Sequence, residues 1–153
     1  MAELTPEQVF DRVDAGESLQ GADLRGIDLA FFILDGADFL RADLQGAQLQ
    51  AAVLQGANLS GADLTGAELD EAGLLDVNLS RATLRRAGLS EADLRGASLD
   101  GADLREAILE DALVGEEQLR QAESLAGATL PDGTKLGKGS WREELEAWCR
   151  RRA

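Results

Sequence analysis

Ala57-Asn58-Leu59-Ser60-Gly61-Ala62-Asp63-Leu64-Thr65-Gly66 is one five-residue pattern written twice: small, polar, large and apolar, then two turn-forming residues. In both directions from it the pattern continues. Every fifth residue from Leu19 to Leu109 is Leu except Phe39, which makes 18 Leu in 19 positions. With Ala22-Asp23-Leu24-Arg25-Gly26 taken as slots one to five, Ala fills slot one in 15 of the 19 units, and Glu17, Ile27, Phe32 and Val77 fill the rest. Two apolar slots bracket a polar one, an alternation of period two that fits extended backbone. A period of five fits neither a straight strand nor a helix, on which steps of five would rotate successive Leu by about 140° and scatter them. The chain must therefore turn once per unit. Slots four and five supply the corner, and Gly fills slot five in 9 of 19 units. One large and one tiny inward residue per unit make a narrow tube in which Leu stacks on Leu. No coil can bury its Leu alone, so stability comes from neighbouring coils and both ends need caps.

Units of the form A-D-L-x-G and A-N-L-x-G, running from Glu17 to about Leu113, resemble the pentapeptide-repeat family, whose signature is A-(D/N)-L-x-x. The resemblance implies an all-β solenoid, a right-handed quadrilateral β-helix with four units to a coil. Nineteen units then give nearly five coils, a rod about 24 Å long at about 4.8 Å per coil. On this reading residues 1–16 form an N-terminal capping helix and 17–115 the solenoid. Residues 116–139 form a terminal cap of a short helix and a last irregular coil, and 140–153 a C-terminal amphipathic helix.

The ends carry their own signals. Thr5-Pro6-Glu7-Gln8 reads as a capping box with Pro at the first helical position, and Leu4 is placed to staple against Val9. Val9, Phe10 and Val13 would cover the open first coil, where Ile27 and Phe32 replace the usual Ala. After Leu109 the register falters at Leu113-Val114-Gly115, and Leu125 and Leu130 resume the five-residue spacing one residue out of phase. Ser140 and Glu143 form a second capping box. Trp141, Leu145 and Trp148 share a face of the last helix, which either folds back over the final coil or anchors a homodimer.

Totals narrow the function. Lys and Arg number 15 against 29 Asp and Glu, a net charge of −14 with no His. Direct nucleic-acid binding is disfavoured, because phosphate contacts need a basic footprint. So much acid serves either solubility or attraction to a basic partner. Cys149 is the single cysteine, so neither a disulfide framework nor a Cys or His metal site is expected, and a reducing compartment fits. Met1 to Glu7 carries no basic region or apolar run of the signal-peptide kind, and no segment approaches 18 unbroken apolar residues. The expectation is a cytoplasmic protein with no membrane contact. A rod filled with Leu and Ala offers no pocket in which groups of shifted pKa converge, so no catalytic residue and no cofactor are expected. Asp23, Asp43, Asp63 and Asp103 line one wall rather than facing each other across a cleft. Glu68, Asp70 and Glu71 lack the carbonyl and loop ligands of a cation site, so no metal is expected either.

With four units to a coil, every fourth unit shares a wall. The wall centred on Leu29, Leu49, Leu69, Leu89 and Leu109 carries Asp28, Glu68, Asp70, Glu71, Glu91, Glu110 and Asp111 and no Lys or Arg. The wall centred on Leu24 to Leu104 sets five acids against four arginines, Arg25, Arg85, Arg86 and Arg105. The wall centred on Leu34, Leu54, Leu74 and Leu94 puts Ile33, Val53 and Leu75 in outward slots, with Leu113 beyond. The fourth, centred on Leu19, Phe39, Leu59, Leu79 and Leu99, is mostly small and polar, and Asn58 and Asn78 are spaced for an amide ladder. These walls point to a non-enzymatic scaffold that binds an unidentified protein partner or a second copy of itself. The alternative is DNA mimicry directed at a type II topoisomerase such as DNA gyrase, a role the resemblance attaches to some family members. Seven acids over about 24 Å match the spacing of phosphates on one DNA strand, about 3.4 Å. Against mimicry, those relatives favour Phe at the unit centre and carry projecting loops, whereas here the centre is Leu and Glu17 to Leu109 holds no insertion.

Overall fold

The structure, a computed structural model, describes residues 3–153; the first two residues of the 1–16 segment lie outside the described part. Three helices are its named elements: α1 (Pro6–Asp14), α2 (Glu116–Arg120) and α3 (Trp141–Arg152). Between α1 and α2 the chain winds in coils of 20 residues, four units each, marked by parallel bridges such as Asp23↔Asp43, Asp43↔Asp63 and Asp63↔Thr83. Where an all-β fold is expected, the described residues hold isolated bridges and no named strand. The reason lies in the unit itself. Two of its five residues turn, which leaves only the slot-two residue free to pair on both sides.

Backbone hydrogen bonding explains the signature. Between coils the slot-three N–H donates to the slot-two carbonyl above, as Leu64 to Thr83 at 2.7 Å, and the slot-five N–H to slot four, as Gly66 to Arg85 at 2.8 Å. Slot two donates back to slot one of the coil below, as Asp63 to Ala42 at 3.0 Å. The slot-one N–H closes the turn, as Ala67 to Leu64 at 3.0 Å. Slot four is left without a backbone acceptor, and the slot-two side chain fills the gap: Asp63 Oδ1 accepts from the Thr65 N–H at 3.0 Å and Asn78 Oδ1 from Ser80 at 3.0 Å. Asp and Asn have the reach for this two-residue loop. Where slot two is Val53 or Gly88, a carboxylate of the previous coil takes over. Asp35 accepts from the Gln55 N–H at 3.0 Å and Asp70 from Ser90 at 2.8 Å. A Cβ on Gly88 would sit 3.1 Å from both Asp70 oxygens, so Gly there keeps this substitute bond open.

Every slot-five residue from Gly21 to Asp111 has positive φ, the requirement of a turn with a left-handed third residue. Ten of the nineteen are not Gly. A left-handed L-residue costs roughly 1–2 kcal/mol, and the extra chain entropy of Gly returns about half of that. Ala51→Gly, at φ 54°, is therefore expected to raise stability by about 0.5–1 kcal/mol. A denaturant melt whose midpoint stays put or falls would contradict this.

Inside, the Leu column and the slot-one Ala residues are buried from coil to coil, with Phe39 seated among them. The register slips by one residue near the end, where Asp103 pairs with Ser124 and Ile108 with Thr129. α2 absorbs the extra residue and puts Leu119 into the core, while Gln118 Nε2 donates to the carbonyls of Leu94 and Ala97. A turn at Pro131-Asp132-Gly133 then sends the chain back antiparallel, with Thr129 against Lys135. α3 lies against this end: Trp141, Leu145, Trp148 and Cys149 are buried, Trp148 Nε1 donates to Asp132 at 2.8 Å, and Arg120 pairs with Glu146 at 2.9 Å. Burial pushes the Cys149 thiol up, which suits an inert core side chain.

Three local expectations are corrected. Ser140 and Glu143 form no capping box: the Ser140 hydroxyl donates to Glu144, whose carboxylate also accepts from the Gly137 N–H at 2.7 Å. Asn58 and Asn78 form no ladder, because each amide oxygen is engaged by its own turn, and Asn58 Nδ2 reaches down to Asp38 at 3.3 Å. In α1 the Thr5–Gln8 capping box is present, Val9 is buried and Leu4 packs on the core. Phe10, however, stays on the rim, its ring 6.0 Å from that of Phe32.

Candidate interaction surface

Because slot two pairs with slot two and slot five stacks on slot five, the outer surface is a set of columns with a step of about 4.8 Å. Ion pairing sorts the charges on them. In three units of the form Asp-Leu-Arg, the arginine forks back onto its own carboxylate: Arg25 Nε to Asp23 Oδ1, Arg95 Nε to Asp93 Oδ1 and Arg105 Nε to Asp103 Oδ1 are each 2.8 Å. Hydrogen bonds from the Arg25 side chain hold Asp23 down to about 2, and Asp93 and Asp103 are lowered by the same contact. The Arg25–Asp23 fork lies in the open, where such a pair contributes little to stability, whereas the Asp103 carboxylate is buried beneath its arginine. All three forks neutralise acid locally. A lowered carboxyl contributes above its ordinary value and loses that contribution as pH falls through the lowered one, so this fork acts above about pH 4 and is lost toward pH 2. Arg25→Gln is expected to return the Asp23 midpoint toward 3.8 in an NMR titration; a midpoint that stays near 2 would contradict the assignment.

Among the described residues, none of Asp28, Glu68, Asp70, Glu71, Glu91, Glu110 and Asp111 takes part in an ion pair. The structure divides them. Asp28 stands apart, two coils from Glu68 with Gln48 between, and Gln50 Nε2 donates to Glu68. Glu71, Glu91 and Asp111 stack in slot five of successive coils, with Asp70 and Glu110 beside them in slot four. The same wall also exposes Ile108 in slot two, so it is not uniformly acidic.

The apolar set divides as well. Ile33 and Val53 are bridged neighbours, 62% and 36% exposed. Leu75 is half-buried in slot four, and Leu113, though exposed, is separated from Val53 by Gly73 and the forked Asp93. Trp141, Leu145 and Trp148 are buried within the single chain, so they are not free to anchor a second copy; the guanidinium of Arg152 covers the Trp148 ring at 4.4 Å. Phe31 is the residue that pattern reading passed over. It is 76% exposed in a corner slot and lines a depression with Phe10, Ala30, Phe32 and Ile33. Its signal was visible: no other slot five holds an aromatic residue.

The model of pentapeptide repeats matches in eight copies over residues 22–52, 47–86 and 74–111, more than half of the chain. The chain belongs to the pentapeptide-repeat family. Its solved structural relatives are pentapeptide-repeat proteins. One, from the Arabidopsis thaliana thylakoid lumen, is 30% identical with a TM-score of 0.60, and the match covers 86% of each chain. Another, from Nostoc PCC 7120, is 34% identical with a TM-score of 0.46 over 71% of this chain and 84% of that one. QnrB1, a plasmid-mediated fluoroquinolone resistance protein, matches at 19% identity and a TM-score of 0.39 over 84% and 85% of the two chains, too distant to carry a shared role. No curated protein matches. No helix among the described residues of this pentapeptide-repeat chain is long and apolar enough to cross a membrane.

Proposed function

We propose that the chain is a non-enzymatic scaffold, a right-handed quadrilateral β-helix of nearly five coils whose outer walls bind another protein. The observation that carries this reading is the exposure of bridged Ile33 and Val53 on a rod whose interior is filled with Leu and Ala. Contiguous exposed apolar side chains on a charged protein mark a contact surface. The unpaired carboxylates beside them favour a basic partner over nucleic acid. The end helices α1 and α3 close the stack, and a cytoplasmic setting suits its single thiol. The test is affinity capture from cell lysate with the intact chain and with an Ile33→Lys, Val53→Lys variant. A protein retained by the first and lost by the second supports the scaffold; equal recovery of every protein by both contradicts it.

The second reading, a DNA mimic directed at a type II topoisomerase such as DNA gyrase, draws on the stacked Glu71, Glu91 and Asp111. Gyrase supercoiling with and without the protein, alone and under quinolone challenge, decides it. No effect at a stoichiometric excess removes mimicry.

A further inference from the structure

We infer that the corner joining the acidic wall to the apolar wall docks an extended protein segment, apolar at one end and basic along the rest. This rests on the scaffold reading and names the chemistry of the partner.

The corner is one continuous column. Slot-five residues Phe31, Ala51, Glu71, Glu91 and Asp111 stack in order, each N–H bonded to the next coil at 2.8–2.9 Å: Phe31 to Gln50, Ala51 to Asp70, Glu71 to Ser90, Glu91 to Glu110 and Asp111 to Pro131. At its foot Phe31 is 76% exposed with φ 67°, in a slot that Gly fills in nearly half of the units. Neither burial nor turn geometry asks for an aromatic ring there, so folding does not explain it. Phe10 at 38%, Ile33 at 62% and Val53 at 36% exposure extend the ring into one apolar surface, with Phe32 half-buried behind it.

The rest of the column says what covers that surface. Two coils up it turns acidic, and no ion pair among the described residues engages Glu71, Glu91 or Asp111. Nucleic acid and an anionic lipid surface are repelled by a chain of net charge −14. A second copy would bring the same charge with it. A segment whose apolar side chains sit on Phe31 and Ile33, and whose Lys or Arg side chains follow the carboxylates, satisfies both ends. From Phe31 to Asp111 the column rises about 19 Å, which extended backbone at about 3.4 Å per residue covers in about six residues.

The probe is a synthetic twelve-residue peptide with Trp-Leu-Val at one end and Lys at alternate positions of a Ser-rich remainder, titrated into the intact protein by fluorescence anisotropy. The control is a scrambled peptide of the same composition. The ordered peptide is expected to bind about tenfold more tightly than the scrambled one. Phe31→Gly is expected to weaken it about tenfold while the melting temperature holds or rises, because left-handed strain is relieved. Binding of the ordered peptide is expected to weaken as salt rises from about 50 to about 500 mM, and a Glu71→Gln, Glu91→Gln, Asp111→Asn variant should bind more weakly and lose most of that dependence. Equal binding of ordered and scrambled peptides, or unchanged affinity in Phe31→Gly, overturns the proposal. So does a dimer in light scattering that Phe31→Gly dissolves, which would give the surface to a second copy. A protein partner lost on Ile33→Lys, Val53→Lys but kept by Phe31→Gly overturns the corner alone and leaves the scaffold reading standing.

Discussion

Leu64→Ala is expected to lower stability by about 2–5 kcal/mol. Leu64 is 0% exposed and sits mid-rod between the equivalent Leu44 and Leu84. Around it the wall is held at fixed spacing by the bridges Asp43↔Asp63 and Asp63↔Thr83 and by the 2.7 Å bonds from Leu44 to Asp63 and from Leu64 to Thr83. Those bonds stop the tube from collapsing into the space, so the cavity term adds to the lost transfer term. The adjoining slot-one residues, Ala62 and Ala67, are too small to fill the space. The outward Leu113→Ala, at a site 49% exposed, is expected to cost under about 1 kcal/mol. Denaturant melts of the two variants measure the contrast, and equal losses would contradict an interior built on the Leu column.

Trp148→Ala should be comparably severe, about 3–5 kcal/mol, for a different reason. Trp148 is 2% exposed, donates to Asp132 and is covered on one face by Arg152, so a single side chain ties α3 to the turn that closes the last coil. Without it the helix keeps Trp141, Leu145 and the Arg120–Glu146 pair but loses its tie to the turn, and the final edge of unpaired backbone becomes more available to other chains. The expected result is a lower melting midpoint together with soluble aggregates in light scattering. A monodisperse monomer with an unchanged midpoint would mean that α3 is an ornament on the rod and not its lid.

The two substitutions mark how far the sequence could be read. The Leu column and its Ala partner are legible because a tube admits only one large and one small side chain per unit. The one-residue phase slip after Leu113 announced the end of regular winding in the same way. What was not legible lay between coils. That Asp35 and Asp70 replace the missing acceptors at Val53 and Gly88 depends on contacts twenty residues apart. The Asp-Leu-Arg forks were written in the sequence, yet only geometry showed Asp23, Asp93 and Asp103 neutralised while Glu71, Glu91 and Asp111 stand free. Reading wall by wall also hid the corner. Phe31 belongs to a unit of the acidic wall but lies beside Ile33 on the apolar one, so assigning each unit to one face separated residues that the turn brings together.

The most direct test of the claim that the outer surface performs the function is to alter the four walls one at a time and measure both partner capture and melting temperature. The variants are Ile33→Lys with Val53→Lys for the apolar wall and Glu71→Gln, Glu91→Gln with Asp111→Asn for the acidic one. Arg25→Gln with Arg85→Gln serves the charge-balanced wall, and Ser60→Ala with Ser80→Ala the small polar one. The expected result is a lost partner in the first two variants, a retained partner in the last two, and little change in melting temperature in any. Capture that is indifferent to all four walls, or that fails only on the balanced or small polar wall, would contradict it.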